Sequence, residues 1–140
     1  MNRKRRTEIL INSPFEVAEA FAQEIQGSYS ITLIQKPESG LVMLKMRETA
    51  KKSLFYLGEV FVTECKVQIY NSIGIGIIKG DKPELSFHLA IIDAAYGAGL
   101  METKAWTSIL EEKEAELFKQ RRKRNQEIMR TKVSFETMDV

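Results

Sequence analysis

One stretch decides the fold: Leu54-Phe-Tyr-Leu-Gly-Glu-Val-Phe-Val-Thr-Glu-Cys-Lys-Val-Gln-Ile-Tyr70, continued by Asn71-Ser-Ile-Gly-Ile-Gly-Ile-Ile-Lys79. β-Branched and aromatic residues dominate it, and apolar and polar positions alternate as in a half-buried strand. The alternation changes phase between Val62 and Cys65, which predicts a bulge or bend near Thr63-Glu64. Asn71-Ser72, between two apolar runs, predicts a short hairpin turn. We therefore expect a long bent hairpin at the centre of an antiparallel sheet.

The chain before this hairpin predicts two helices and two further strands. Residues 7–11 continue a basic start into a short helix. Ser13 and Pro14 predict the cap and the first residue of a second helix, which ends at Gly27. Residues 29–35 and 41–47 alternate as strands, and the Pro-Glu-Ser-Gly sequence at 37–40 predicts a turn between them. Together with the long hairpin they give four antiparallel strands.

Two more helices are expected after the hairpin. The first spans residues 84–96 and ends at Gly97-Ala-Gly99, because paired glycines favour a left-handed cap. The second spans residues 106–129 and is mostly charged after residue 111, as in a helix that is exposed or lies along another protein. Residues 131–140 predict an extended tail. The predicted fold class is α+β, a single domain over residues 1–140 with a four-strand antiparallel sheet and helices packed on it.

Composition fits one folded domain of 140 residues, with 44% hydrophobic and 29% charged residues. Cys65 is the single cysteine, which excludes an intrachain disulfide and fits a reducing compartment. Its place within a strand predicts a small core residue and not a nucleophile. Neither a secretory signal nor an apolar run of membrane-spanning length is recognisable, so we expect a cytoplasmic protein.

The net charge of +2 conceals a polarised distribution. Four basic residues occupy positions 3–6 and five more occupy positions 119–124, which leaves −7 on the rest of the chain. The two segments fit either solvated helix faces, or docking to an acidic partner surface or to phosphate. The sequence alone leaves both interpretations open.

No complete catalytic set is recognisable in the sequence. The run Gly74-Ile-Gly-Ile-Ile-Lys-Gly80 superficially matches a dinucleotide loop, but glycines within a strand more often mark close backbone approach or a bend. His88, the only histidine, is spaced from Glu84 and Asp93 so that the three do not converge on a metal, and it is expected at a surface or a helix–sheet boundary. Asp93 is expected to bond to a neighbouring loop or subunit, with a role as an acid as the alternative.

Glu59 and Glu64 flank the predicted bend of the long strand. Paired carboxylates can perform acid–base chemistry, but charges at the rim of a sheet are more often solvated or paired with lysine. Gly58, directly before Glu59, predicts close approach by another element, so we interpret the Gly58-Glu59 corner as a contact site. No metal site and no cofactor of the chain's own is expected.

Five short segments follow one another over nearly the whole chain: Gly40-Leu-Val, residues 55–64, Val67-Gln-Ile, Ile91-Ile-Asp-Ala-Ala95 and Val133-Ser-Phe-Glu-Thr-Met138. In this order and spacing they resemble the PhnG family, a small subunit of the bacterial carbon–phosphorus lyase system. The resemblance implies an accessory subunit of a core assembly with PhnH, PhnI and PhnJ. The residues expected to contact partners are Gly58, Glu59, Arg121, Arg122, Val133, Phe135 and Met138.

The resemblance also implies a role in organic phosphonate catabolism. With PhnH, PhnI and PhnL, such a subunit is associated with displacement of adenine from ATP by an alkylphosphonate, which gives an α-D-ribose 1-alkylphosphonate 5-triphosphate. The nucleosidase chemistry is placed on PhnI, so this subunit of a transferase complex is expected to lack a complete active site. The alternative is a free-standing nucleic-acid or nucleotide-binding module that uses the two basic segments, although few aromatic residues accompany them.

Overall fold

Four helices and a three-stranded sheet form the protein in a computed structural model, which describes residues 1–47 and 54–138, with side chains for 1–45 and 57–131. The elements are α1 (Arg3–Asn12), α2 (Phe15–Ser28), β1 (Thr32–Arg47), β2 (Leu54–Ile69), β3 (Ser72–Lys79), α3 (Pro83–Gly97) and α4 (Glu102–Met138). The strands are antiparallel in the order β1-β2-β3. The α+β class and the long hairpin are confirmed.

The prediction of four strands is wrong, because the first two predicted strands are one continuous strand, β1. Its pairing with β2 runs from Thr32 opposite Gln68 to Arg47 opposite Leu54. The sequence around Pro37 therefore lies within β1 and does not form a turn. Proline is tolerated there because β1 is an edge strand, where a missing N–H does not interrupt a ladder.

The apolar–polar alternation of β2 changes phase where its neighbour β1 contains an extra residue. The register of β1 with β2 shifts between Gln35 and Glu38, whereas β2 pairs with β3 without interruption. Val62 and Thr63 are consecutive and both buried. The predicted irregularity is therefore present near Thr63-Glu64, but the extra residue belongs to the facing strand.

The hairpin turn lies one residue earlier than predicted. Ile69 pairs with Ser72, so Tyr70 and Asn71 form the two-residue loop. Tyr70 has a φ of 53°, the left-handed conformation that tight hairpin loops require at their first position.

The boundary between α1 and α2 differs from the prediction. Ser13 does not cap α2, because its hydroxyl donates to the Ile9 carbonyl oxygen at 2.6 Å. Pro14 occupies the N-cap position without a side-chain hydrogen bond, and α2 continues one residue beyond Gly27. The end of α3 is as predicted, with Gly99 in the left-handed conformation at a φ of 67°.

The last helix, α4, continues through residues 131–138, where the sequence predicts an extended tail. The chain contains no glycine or proline between Gly99 and Met138, so nothing in this stretch breaks a helix. Residues 139–140 lie outside the described part of the chain. No helix within residues 1–47 and 54–138 combines the length and the apolar character needed to cross a membrane.

The core lies between one face of the sheet and the helices. Trp106 of α4 is 1% exposed and stacks on Phe21 of α2, with ring centroids 4.7 Å apart. The Trp106 Nε1 donates to the Glu24 carboxylate at 3.0 Å. Cys65 is fully buried, which confirms it as a core residue, and burial raises the pKa of its thiol to about 11. At neutral pH the thiol is therefore protonated and weakly reactive.

β3 and α3 pack closely at two glycines of the strand. A Cβ added at Gly76 would lie 2.6 Å from the Ala90 backbone nitrogen, and one at Gly74 would lie 2.7 Å from the Ala94 Cβ. Strand and helix therefore meet with no room for a side chain at either glycine. The prediction that these glycines mark close backbone approach is confirmed.

Candidate functional site

The distal halves of β1 and β2 extend beyond the third strand. β3 ends at Lys79, which pairs with Val62, so within the described residues the strand pairing of 54–61 is with β1 alone, apart from one hydrogen bond that the Gly80 N–H donates to the Phe61 carbonyl oxygen at 2.9 Å. We call residues 40–47 and 54–61 the β-arm. A two-stranded ribbon is only marginally stable in water without further strands or a helix packed on it.

Most of the described side chains on the β-arm are apolar. Six of its large hydrophobic side chains are 44–63% exposed: Leu41, Val42, Met43, Leu44, Leu57 and Phe61. Successive strand residues point to opposite faces, so the run from Leu41 to Leu44 places apolar side chains on both faces of the arm. Single exposed hydrophobic residues are normal on a protein surface, but a contiguous cluster marks a site of interaction.

The predicted Gly58-Glu59 corner lies within the β-arm. Gly58 is located at a register shift where β2 contains one residue more than β1, and its φ is 157°. A Cβ at Gly58 would have no atom within 4 Å, so the described residues of this chain do not approach it closely. Glu59 is exposed beside it. Glu64, its predicted companion, lies 3.5 Å from the ammonium of Lys66, a pairing with lysine that the sequence favours.

The second projecting element is the end of α4. Every described side chain from residue 118 to residue 131 is exposed. We call residues 118–138 the α4 extension. Six basic residues and one acidic residue lie between positions 118 and 131. A helix segment that is polar on most sides gains little stability from burial against its own chain.

Five of the predicted contact residues lie in the α4 extension. Arg121 and Arg122 are exposed, and the guanidinium carbon of Arg122 lies 5.8 Å from the ring centroid of Phe118. Val133, Phe135 and Met138 have helical backbone, and their side chains lie outside the part that the structure describes.

Asp93 of α3 joins its own helix to α1 and β3. Its Oδ1 accepts hydrogen bonds from Arg3 Nε and Arg6 Nη2, both at 2.9 Å, and its Oδ2 accepts one from the backbone N–H of Ile75 at 2.9 Å. β3 is an edge strand, so its outward N–H groups have no strand to bond to, and the Asp93 carboxylate accepts the hydrogen bond of the one at Ile75. Asp93 therefore bonds to helix α1 and strand β3 of its own chain, and not to the loop or subunit that the sequence predicts.

The N-terminal basic segment is mostly paired within the chain. Arg3 and Arg6 bind Asp93, and Arg5 donates two hydrogen bonds to the carboxylate of Glu114, at 2.8 and 2.6 Å. This contact raises the pKa of Arg5 and lowers the pKa of Glu114. The segment attaches α1 to α3 and α4. Sequence reasoning misses these pairs because 87 to 109 positions separate the partners.

His88 is half-buried on α3 next to α2, and not at the surface or the helix–sheet boundary that the sequence predicts. Its ring centroid lies 5.4 Å from that of Phe15 and 6.3 Å from that of Phe87. Its Nδ1 is buried without a hydrogen-bond partner among the described residues, and burial lowers its pKa. Within the part that the structure describes, no three His, Cys, Asp or Glu side chains are grouped as metal ligands.

The family comparison covers all of these features. The model of the family described as phosphonate metabolism protein PhnG matches residues 1–139. No curated protein matches the chain significantly. The family match includes the β-arm, Asp93 and the whole α4 extension, and it confirms the resemblance noted in the sequence. The chain therefore belongs to the PhnG family of phosphonate metabolism proteins.

Proposed function

We propose that the chain is an accessory subunit of the carbon–phosphorus lyase core complex in organic phosphonate catabolism. In this role it supports the displacement of adenine from ATP by an alkylphosphonate, while the reacting groups are supplied by partner subunits. The proposed partners are PhnH, PhnI, PhnJ and PhnL, with PhnI carrying the nucleosidase chemistry. The chain needs no cofactor of its own and acts in the cytoplasm.

The exposed β-arm is the observation that carries this proposal. Full burial of a large aliphatic or aromatic side chain contributes about 1.5–3 kcal/mol. Six side chains that are about half exposed therefore offer several kcal/mol if a partner covers them. This is the apolar centre that a stable protein–protein interface requires.

The charged residues of the body support the same role. Asp93 and Glu114 hold arginines of α1, Glu24 holds Trp106, and Glu64 lies beside Lys66. These carboxylates are thus used in contacts within the fold. Such an arrangement suits a protein that shapes or holds other subunits.

The proposed contacts lie on the two projecting elements. On the β-arm they are centred on Gly58 and Glu59, where the described residues leave open space. On the α4 extension they comprise Arg121 and Arg122, and further along Val133, Phe135 and Met138. A free-standing nucleic-acid-binding module is the weaker candidate, because three of the four N-terminal basic residues are occupied by carboxylates of the same chain.

Serine substitution of the arm tests the proposal. Leu41→Ser combined with Met43→Ser removes two apolar side chains from one face of the β-arm. Co-expressed with PhnH, PhnI and PhnJ, and captured through a tag on PhnI, this variant should be retained about tenfold less than the wild type. Its Tm should stay within about 3 °C, because both side chains are exposed.

A matched control is Ile11→Ser combined with Met101→Ser, at side chains that are 42% and 81% exposed outside the arm. This control should be retained as well as the wild type. Equal retention of the arm variant and the control would remove the arm from the interface. Failure of the wild type itself to be captured would overturn the proposed function.

A further inference from the structure

One face of the α4 extension carries four basic residues and Gln126. The four basic residues are spaced at intervals of three, one and seven positions: Lys119, Arg122, Lys123 and Arg130. At 100° per residue these positions lie within about a quarter of the helix circumference, over a length of about 16 Å. We call these four residues the basic stripe.

The basic stripe faces away from the side of α4 that packs on the core. Trp106, Leu110 and Leu117 contact the core, at intervals of four and seven residues. The same periodicity places the stripe on the opposite side of the helix. The stripe therefore lies on the side of α4 that faces away from the core of this chain.

Within residues 1–45 and 57–131, none of the four stripe residues forms an ion pair. The contrast with α1 is sharp, because Arg3, Arg5 and Arg6 are all matched to carboxylates of the same chain. Four like charges along three helical turns also repel one another. A ligand that supplies negative charge along the stripe would relieve this repulsion and support the helix.

From this geometry we propose that the basic stripe binds an acidic face of another protein subunit in the same assembly. The inference rests on the proposed function and specifies which chemistry the partner presents: carboxylates spaced along about 16 Å, as on one side of a helix. This charged contact speeds the association of the two subunits and fixes their alignment, in addition to the apolar contact of the β-arm.

A protein partner fits the stripe better than a nucleic acid does. The chain outside residues 118–131 has more acidic than basic residues, so its body would repel a phosphate backbone that extends past the helix. Residues 118–131 contain a single aromatic residue, Phe118, whereas proteins that bind single-stranded nucleic acid stack successive bases on several aromatic side chains.

Charge reversal on the stripe tests the inference in the full assembly. The variant Lys119→Glu with Lys123→Glu leaves the contact of Arg122 with Phe118 in place. The matched control is Lys36→Glu with Lys104→Glu, which makes the same charge change at exposed lysines elsewhere. Each protein is co-expressed with PhnH, PhnI and PhnJ, captured through PhnI and washed at increasing salt.

The stripe variant should be retained about tenfold less than the control in low salt, and the difference should shrink in high salt because ions screen the contact. The milder Lys119→Gln with Lys123→Gln should fall between them, with helical circular dichroism unchanged. If the stripe variant and the control are retained equally, the inference is overturned. It is also overturned if wild type binds duplex or single-stranded DNA in a stripe-dependent manner while capture is unaffected. Loss of capture for wild type and control alike would instead count against the proposed function.

Discussion

Replacement of Asp93 by alanine should lower the free energy of unfolding by about 3–5 kcal/mol, since it leaves a buried cation without its partner. The side chain of Arg6 is only 10% exposed and lies 4.1 Å above the ring of Tyr96, so its charge cannot easily reach water. The backbone N–H of Ile75 loses its acceptor in the same step. Arg3 contributes less, because its side chain is 64% exposed. Urea and thermal denaturation should show a Tm that is lower by roughly 10 °C or more.

The Arg5–Glu114 pair is the natural control for this prediction. Its side chains are 46% and 40% exposed, so Glu114→Gln breaks an ion pair that water screens and should change the Tm little. Similar small effects for Asp93→Ala and Glu114→Gln would show that Asp93 does not hold α1 and β3 to α3.

Gly76→Ala should destabilise the protein by about 3 kcal/mol or more, since overpacking against a backbone cannot be relieved by a rotamer change. The new methyl group would lie 2.6 Å from the Ala90 nitrogen and nearer still to the Ser86 carbonyl oxygen. β3 and α3 would have to separate, which would loosen the packing along the whole interface. Circular dichroism and urea denaturation measure the effect.

Gly27→Ala is the matched control, because it makes the same chemical change in open space. Gly27 lies near the end of α2, and a Cβ there would meet no atom within 4 Å. Alanine in a helix is more favourable than glycine by about 0.5–1 kcal/mol, so this variant should be slightly more stable than the wild type. The account of β3–α3 packing would be wrong if both substitutions shifted stability in the same direction.

The central hairpin and the glycine contacts could be predicted because they depend on local patterns. β-Branched residues with period-two alternation specify β2 and β3, and glycines inside a strand indicate close approach. The strand count could not be predicted in the same way. Pro37 and Gly40 are typical of a turn, and only the pairing of β1 with β2 over its whole length shows that they lie in an edge strand.

Some features of the candidate contact sites could likewise be predicted from the sequence, and others could not. The Gly58-Glu59 corner and the basic run at Arg121 stand out in sequence, since a glycine within a strand and clustered charge are local signals. The exposure of the arm is not local, because it depends on where β3 ends relative to β2. The pairing of Arg3 and Arg6 with Asp93 depends on the tertiary fold, and no residue pattern near either end of the chain indicates it.

Adenine release by the purified chain alone is the most direct measurement of whether this protein works through its partners. The chain is incubated with ATP and an alkylphosphonate, with and without PhnH, PhnI and PhnL, and free adenine is quantified by chromatography. We expect no release above the protein-free blank for the chain alone, and release by the mixture that falls when the chain is omitted. Turnover by the isolated chain at about 1 s⁻¹ or faster, as for an ordinary enzyme, would contradict the proposed accessory role.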